Sequence, residues 1–190
     1  MIISHKYKLI FIHIYKNAGT FVTKILKKLD KNIVNVDGHI TAKNAKKKYP
    51  ELWNSYTKIC IVRNSWDWQI SLFSYIKGLP SHYQHNIVKN MNITEYLEWR
   101  KTDLHQQIEF LLDDNNICLI DNILSFENLN INIINFFKDK YNMDIKPYIP
   151  RKKINSSKRN NDYKSYYNEA NQKILAEIHQ PDIEYFKFKF

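Results

Sequence analysis

The stretch Lys8 to Leu29, KLIFIHIYKNAGTFVTKILKKL, decides how this chain folds. Leu9 to Ile14 is a run of β-branched and aromatic residues that predicts a buried strand. It ends in a polar turn of mostly small residues, Lys16-Asn17-Ala18-Gly19-Thr20. The period then becomes helical, with Phe21, Val22, Ile25, Leu26 and Leu29 on one face and Lys24, Lys27 and Lys28 on the other. A strand, a small-residue turn and a helix N-terminus bring unpaired backbone N–H groups and the positive end of the helix dipole to one place. Lys16 adds a mobile cation and Thr20 a hydroxyl, so the element is suited to a phosphate or a sulfate.

Taken alone, the same letters fit an ordinary β–turn–α unit with a surface lysine. The Walker pattern of P-loop NTPases needs two glycines and a Gly-Lys-Ser/Thr ending. Here the lysine precedes the glycine, which argues against an ATPase or GTPase.

The chain has 190 residues, the length of one domain with a sizeable core, and we expect a single domain over 1–190. A hydrophobic content of 44% with 14% aromatic residues predicts a folded globule rather than a disordered chain. The net charge of +10 points to anionic partners: nucleic acid, a phosphorylated cofactor, an acidic glycan or a membrane surface. With only three glycines, Gly19, Gly38 and Gly78 are each expected where the backbone needs freedom. Cys60 and Cys118 lie in short apolar runs and read as buried thiols. No cluster of His, Cys and Asp has metal-ligand spacing, so no metal is implied. No stretch approaches a membrane span and no secretory signal opens the chain, which predicts a soluble cytoplasmic protein, or a catalytic core cut from a longer one.

Outward from the first helix, Asn32 to Val36 is a short apolar stretch ending at Asp37-Gly38-His39, and a lysine-rich helix follows over Thr41 to Lys48. Lys58 to Val62 predicts a second buried strand of the parallel kind. It too ends in a polar turn, Arg63-Asn64-Ser65, and feeds a helix from Trp66 to Lys77. On that helix Trp66, Trp68, Phe73 and Tyr75 recur at the spacing of a core face. Ser81 to Asn92 reads as a long loop, Glu95 to Arg100 as a helix capped by Thr94, and Leu104 to Leu112 as another helix. Ile117 to Ile120 predicts a third buried strand, and helices are expected over Ile131 to Tyr141 and from Tyr163 onward. Strands alternating with helices predict an α/β fold with a P-loop-like, mostly parallel central sheet flanked by helices.

In such a sheet ligands bind where strand C-termini meet helix N-termini. Both candidate turns carry a cation, Lys16 in the first and Arg63 in the second. Ser71 stands eight residues beyond Arg63, so a guanidinium and a hydroxyl could meet on one phosphate. Each residue has a plainer reading, a surface salt bridge for Arg63 and a backbone-bonded helix serine for Ser71. Together with Lys16 they favour a ligand with two anionic groups.

Phe11 to Thr20, FIHIYKNAGT, resembles the 5′-phosphosulfate loop of the sulfotransferases that use 3′-phosphoadenosine 5′-phosphosulfate (PAPS). Ile61 to Tyr75, IVRNSWDWQISLFSY, resembles their 3′-phosphate motif, Val-Arg-Asp-Pro-x-x-Arg-x-x-Ser-x-Tyr. The branch it looks most like is the Golgi carbohydrate sulfotransferases, including the heparan sulfate 2-O type. Gly38-His39, His105 to Gln107, Ser125 to Leu129 and Asn155 to Tyr167 resemble further segments of that family in the same order. The chain departs from the pattern at Asn17, Phe21, Ser65 and Trp68.

The resemblance implies a sulfotransferase fold and transfer of a sulfuryl group from PAPS to a hydroxyl, with a carbohydrate as the acceptor class and PAP as product. It implies that Lys16, Asn17, Ala18, Gly19, Thr20 and Phe21 hold the 5′-phosphosulfate and that Arg63 and Ser71 hold the 3′-phosphate. A loop carrying Ser157, Lys158 and Arg159 would close over the nucleotide. His39 is the candidate base, since an imidazole titrates near neutrality. Lys16 would stabilise the leaving phosphate, His105 and Gln107 would contact the acceptor, and Glu127 would order loops. His13, inside the first strand, reads as core or adenine-side rather than catalytic. Lys46, Lys47, Lys48, Lys152 and Lys153 suit an anionic glycan, although a lysine run is usually a solvated face. The rivals are a kinase-like nucleotide phosphotransferase, a basic nucleic-acid- or anion-binding protein without catalysis, and a sulfotransferase fold that binds without turnover. A Golgi setting would require a longer precursor.

Overall fold

A computed structural model describes residues 1–151 and 159–190. Lys152, Lys153, Ser157 and Lys158, singled out above, lie outside the described residues. The described chain gathers into two compact units. The first holds residues 1–63 and 109–151, the second residues 64–108 and 159–190.

The first unit carries a five-stranded mixed sheet in the order β3-β1-β2-β4-β5. Its strands are β1 (Ile2–Ser4), β2 (Leu9–Ile12), β3 (Val34–Asn35), β4 (Thr57–Val62) and β5 (Asn122–Ser125). Pairing is parallel between β2 and β4 and between β4 and β5, and antiparallel on both sides of β1. Four strands therefore run one way, which matches the mostly parallel α/β sheet expected. Short β1 pairs with β2 as a hairpin, Ile2 opposite Phe11, and went unread in the sequence.

Side chains alternate across the sheet, as the period of a strand requires. Leu9, Phe11, Ile59 and Ile61 face a core shared with α1 (Gly19–Leu29) and α7 (Leu129–Tyr141). Helix α1 supplies Val22, Ile25, Leu26 and Leu29, the stripe its period predicts, and α7 supplies Ile133, Phe136 and Phe137. Ile10, Ile12 and Cys60, on the opposite face, are also wholly buried, so β2 and β4 read as continuous apolar runs. Two short helices, α2 (Ala42–Lys48) and α3 (Pro50–Ser55), link β3 to β4.

The third parallel strand is not where the sequence places it. Ile117 to Ile120 lies outside the sheet, Ile117 is exposed and Cys118 only half-buried. The carboxylate of Asp113 accepts from the N–H groups of Asn115 and Ile117, and left-handed Asn116 turns the chain back. Leu112 then bridges Cys118 in a local antiparallel pair. Asp121 supplies the real strand start: it accepts from the Lys58 N–H and pairs with the Lys58 ammonium at 3.0 Å, which aligns β5 beside β4.

The second unit is helical, with α4 (Ser65–Gly78), α5 (His85–Val88), α6 (Ile93–Arg100), α8 (Glu169–Ile178) and α9 (Gln180–Phe186). Helix α6 starts two residues earlier than Thr94 suggests, because Asn92 and Glu95 form a reciprocal capping box. Trp66, Trp68 and Phe73 of α4 are core residues as their spacing implies, while Tyr75 is exposed. The helix expected over Leu104 to Leu112 shrinks to a 3₁₀ turn, Ile108–Phe110. Within this unit the N–H groups of Gln107 and Ile108 are taken by the two oxygens of Asp182, both at 2.8 Å. Beside it, buried His179 is held between Gln69 and Gln106, and Tyr96 donates to Gln69.

Asp182 is wholly buried and its two oxygens accept from the backbone N–H groups of Gln107 and Ile108. Asp182→Ala strands both, and we expect the urea midpoint to fall by the equivalent of about 3 kcal/mol. A variant of unchanged stability would show that these bonds contribute nothing.

Candidate functional site

The site sits where β2 and β4, adjacent and parallel, reach their C-terminal ends in the first unit. Between β2 and α1 the backbone alternates in hand. φ is positive at Lys16 (62°) and Ala18 (59°), but not at Asn17 or Gly19. Alternation of this kind turns successive N–H groups into one concavity, the geometry of an anion nest. Ala18 is also the N-cap of α1 and makes no side-chain cap bond, so the helix start relies on the loop's own shape. The dipole of α1 adds partial positive charge at the same point.

Two groups fasten this loop to β4. The side-chain amide of Asn17, wholly buried, donates to the Ile61 carbonyl at 2.9 Å. Arg63, 5% exposed, donates through Nη1 to the Lys16 carbonyl at 3.0 Å. Its guanidinium lies 3.9 Å from the centre of the Phe126 ring, a cation–π contact that orients the fork. Arg63 and the lysine loop, linked in the sequence only by analogy, are thus in direct contact. Asn17 faces inward as a loop anchor. Phe21 packs its ring against the sheet–helix core, which leaves only its backbone for an anion.

His39 is exposed and follows two left-handed residues, Asp37 and Gly38. Asp37 is held by Lys48 at 2.5 Å and by the Tyr49 hydroxyl at 2.6 Å. Those hydrogen bonds, Lys48 first, keep its carboxyl below the usual range. The Nδ1–H of His39 donates to the His13 carbonyl at 2.8 Å, a bond that leaves Nε2 as the proton-accepting nitrogen. The two imidazoles lie 4.5 Å apart, and Tyr15 meets His39 edge-on at 5.9 Å. His13 therefore belongs to the site, which its place in an apolar run concealed. Burial first, then the charges of His39 and the chain's amino terminus, push its pKa down to about 3.

Gly19 is needed for space, not for a positive φ. A β-carbon there would fall 1.7 Å from His13 Nε2. Gly38 does use left-handed freedom, with φ +48°, and Gly78 shows neither demand. Thr20, in the first turn of α1, is exposed.

The other residues named from the sequence lie in the second unit. Ser71 is buried on α4. Arg159 pairs with Asp67 at 2.6 Å, both mostly buried. His105 is exposed, 3.6 Å from Asp103. Gln107 is wholly buried. Glu127, in the first unit, accepts from the Ser125 hydroxyl, in keeping with a loop-ordering role. Among the described residues no group of three His, Cys, Asp or Glu side chains is placed to hold a metal ion. No described helix is long and apolar enough to cross a membrane. Set against protein-family models, curated proteins and solved structures, the chain matches none.

Two outcomes follow from this geometry. Ala18→Gly removes the left-handed penalty of a β-carbon and should stabilise the protein by about 1 kcal/mol in urea unfolding; a loss of stability would show that Ala18 is not strained. The unfolded chain protonates His13 near pH 6.5, which the folded protein resists down to about 3. Its contribution is thus fully present above pH 6.5 and is lost as pH falls through that window. His13→Phe should therefore gain about 2 kcal/mol on the wild type between pH 7 and pH 4.5. An unchanged difference across that range would show that His13 titrates normally.

Proposed function

We propose that the protein is a PAPS-dependent sulfotransferase that sulfates a hydroxyl, with carbohydrate as the acceptor class. One observation carries the reading: a lysine loop of alternating hand stands at a helix N-terminus, tied to an arginine from the next parallel strand. Cation, nest and helix dipole together suit a ligand with more than one anionic group. The two sequence motifs that resemble the family fall on these same two turns. When bound, PAPS would supply an activated sulfuryl group whose leaving group is a phosphate. The backbone of residues 16–20 would hold the 5′ end of such a donor, and Arg63 would meet its 3′-phosphate.

His39 would take the proton of the incoming hydroxyl on Nε2, because Nδ1 is occupied by the His13 carbonyl. The hydroxyl oxygen would bond to sulfur as the bond from sulfur to the bridging oxygen breaks. Lys16 would meet the negative charge that appears on that oxygen. The kinase-like alternative gains nothing here, since the loop lacks the Gly-Lys-Ser/Thr ending.

Calorimetric titration with 3′-phosphoadenosine 5′-phosphate beside ADP tests the reading. The wild type should prefer the 3′-phosphorylated nucleotide, and Arg63→Ala should lose about 10- to 100-fold in its affinity. Equal or absent binding of the two nucleotides by the wild type would overturn it.

A further inference from the structure

His13 touches the site in two ways that the chemistry above uses only in part. Its carbonyl accepts the Nδ1–H of His39, which fixes the tautomer of that ring. Its own ring stacks on Phe11 at 5.6 Å and 22°, and meets the His39 ring at 4.5 Å and 57°. The same ring fills the space that a side chain at Gly19 would take. A β-carbon there would stand 1.7, 2.0 and 2.3 Å from three of its atoms. One imidazole is thus clamped between β2, the first residue of α1 and His39.

An ordinary core histidine does not need this arrangement. Here the ring excludes even the β-carbon of an alanine at residue 19. The space is given to a planar group that separates His39 from the helix start. His39 also meets Tyr15 edge-on, and Tyr15 meets Phe110 at 6.0 Å. His39 thus has two ring neighbours, His13 and Tyr15.

We propose that His13 is a positioning residue, whose carbonyl and ring together hold His39 at a fixed place beside the N-terminus of α1 with Nε2 as the accepting nitrogen. What that nitrogen serves rests on the sulfotransferase reading; the device itself does not. Because burial keeps His13 neutral near pH 7, its ring does not compete with His39 for the proton. A reacting group displaced by about 1 Å loses on the order of 100-fold in rate, so a spacer of this kind has a measurable effect.

The test compares His13→Phe, which keeps a planar ring, with His13→Ala, which removes it; His13→Leu takes the place of the alanine variant should that not fold. Two-bond proton–nitrogen correlation spectra of the free protein read the tautomer of His39. Wild type and both variants keep the residue-13 carbonyl and should show a single Nδ1–H form. Where PAPS turnover is measurable, kcat should fall about 100-fold in His13→Ala with the donor KM unchanged, and stay near wild type in His13→Phe. Gly19→Ala should disturb the wild type and be tolerated when combined with His13→Ala, a coupling that loss of stability alone would not give. A wild type without the single Nδ1–H form, a Gly19→Ala change no better tolerated beside His13→Ala, or a phenylalanine variant as impaired as the alanine one, would overturn the proposal. A wild type with the predicted tautomer that fails to bind the 3′-phosphorylated nucleotide would leave the device standing and remove only the sulfotransferase reading.

Discussion

The buried amide of Asn17 and the guanidinium of Arg63 hold the loop before α1 in a shape that it would not keep alone. Lys16 and Ala18 are left-handed with β-carbons, at about 1–2 kcal/mol each. Such residues persist only where their surroundings over-determine them. Here the surroundings are the end of β4: Asn17 bonds the Ile61 carbonyl and Arg63 bonds the Lys16 carbonyl. Both bonds depend on the register that sets Ile12 opposite Cys60, which brings the two strand ends level. A slip by one residue would turn Asn17 away from Ile61 and exchange the side chains that β2 gives to each of its two buried faces. The apolar pattern of two strands thus fixes the geometry of a polar loop.

The charge at this place follows the same logic. Arg63 is almost wholly buried, and an interior guanidinium must keep its hydrogen bonds and its neighbours. It has the Phe126 face and a carbonyl that belongs to the loop it supports. His13 answers burial differently, by giving up its proton. A neutral imidazole beside His39 and a permanent cation beside Lys16 are distinct solutions to desolvation. Only the second adds positive charge for an anion.

Much of this was legible in the sequence because strong periodicity survives into structure. The helical stripe Val22, Ile25, Leu26, Leu29 appears as read, the run Leu9 to Ile14 forms a strand over Leu9–Ile12, and Lys58 to Val62 forms one that begins at Thr57. The apolar run Ile117 to Ile120 misled because Asp113 and Asn116 close a local turn there, and β5 begins only after Asp121. The helix over Leu104 to Leu112 failed because its early N–H groups are claimed by Asp182, about 75 residues away and invisible to any local pattern. At the site, Lys16, Arg63 and His39 stood out by type and place. His13 did not, since a histidine in an apolar run looks like core; its one signal was the glycine six residues later, whose missing side chain leaves room for it.

Asn17 and Phe21 both serve the backbone of this loop. The amide of Asn17 spans the distance to the Ile61 carbonyl. The ring of Phe21 extends the core that seats α1. Each is a side chain that fixes the backbone around it. An anion at this loop would then be held by main-chain N–H groups, the helix dipole and the Lys16 charge rather than by hydroxyls. Backbone donors cannot rotate away, so the site's strength rests on how firmly the loop is held. That returns the burden to β4, where Asn17 and Arg63 hold it.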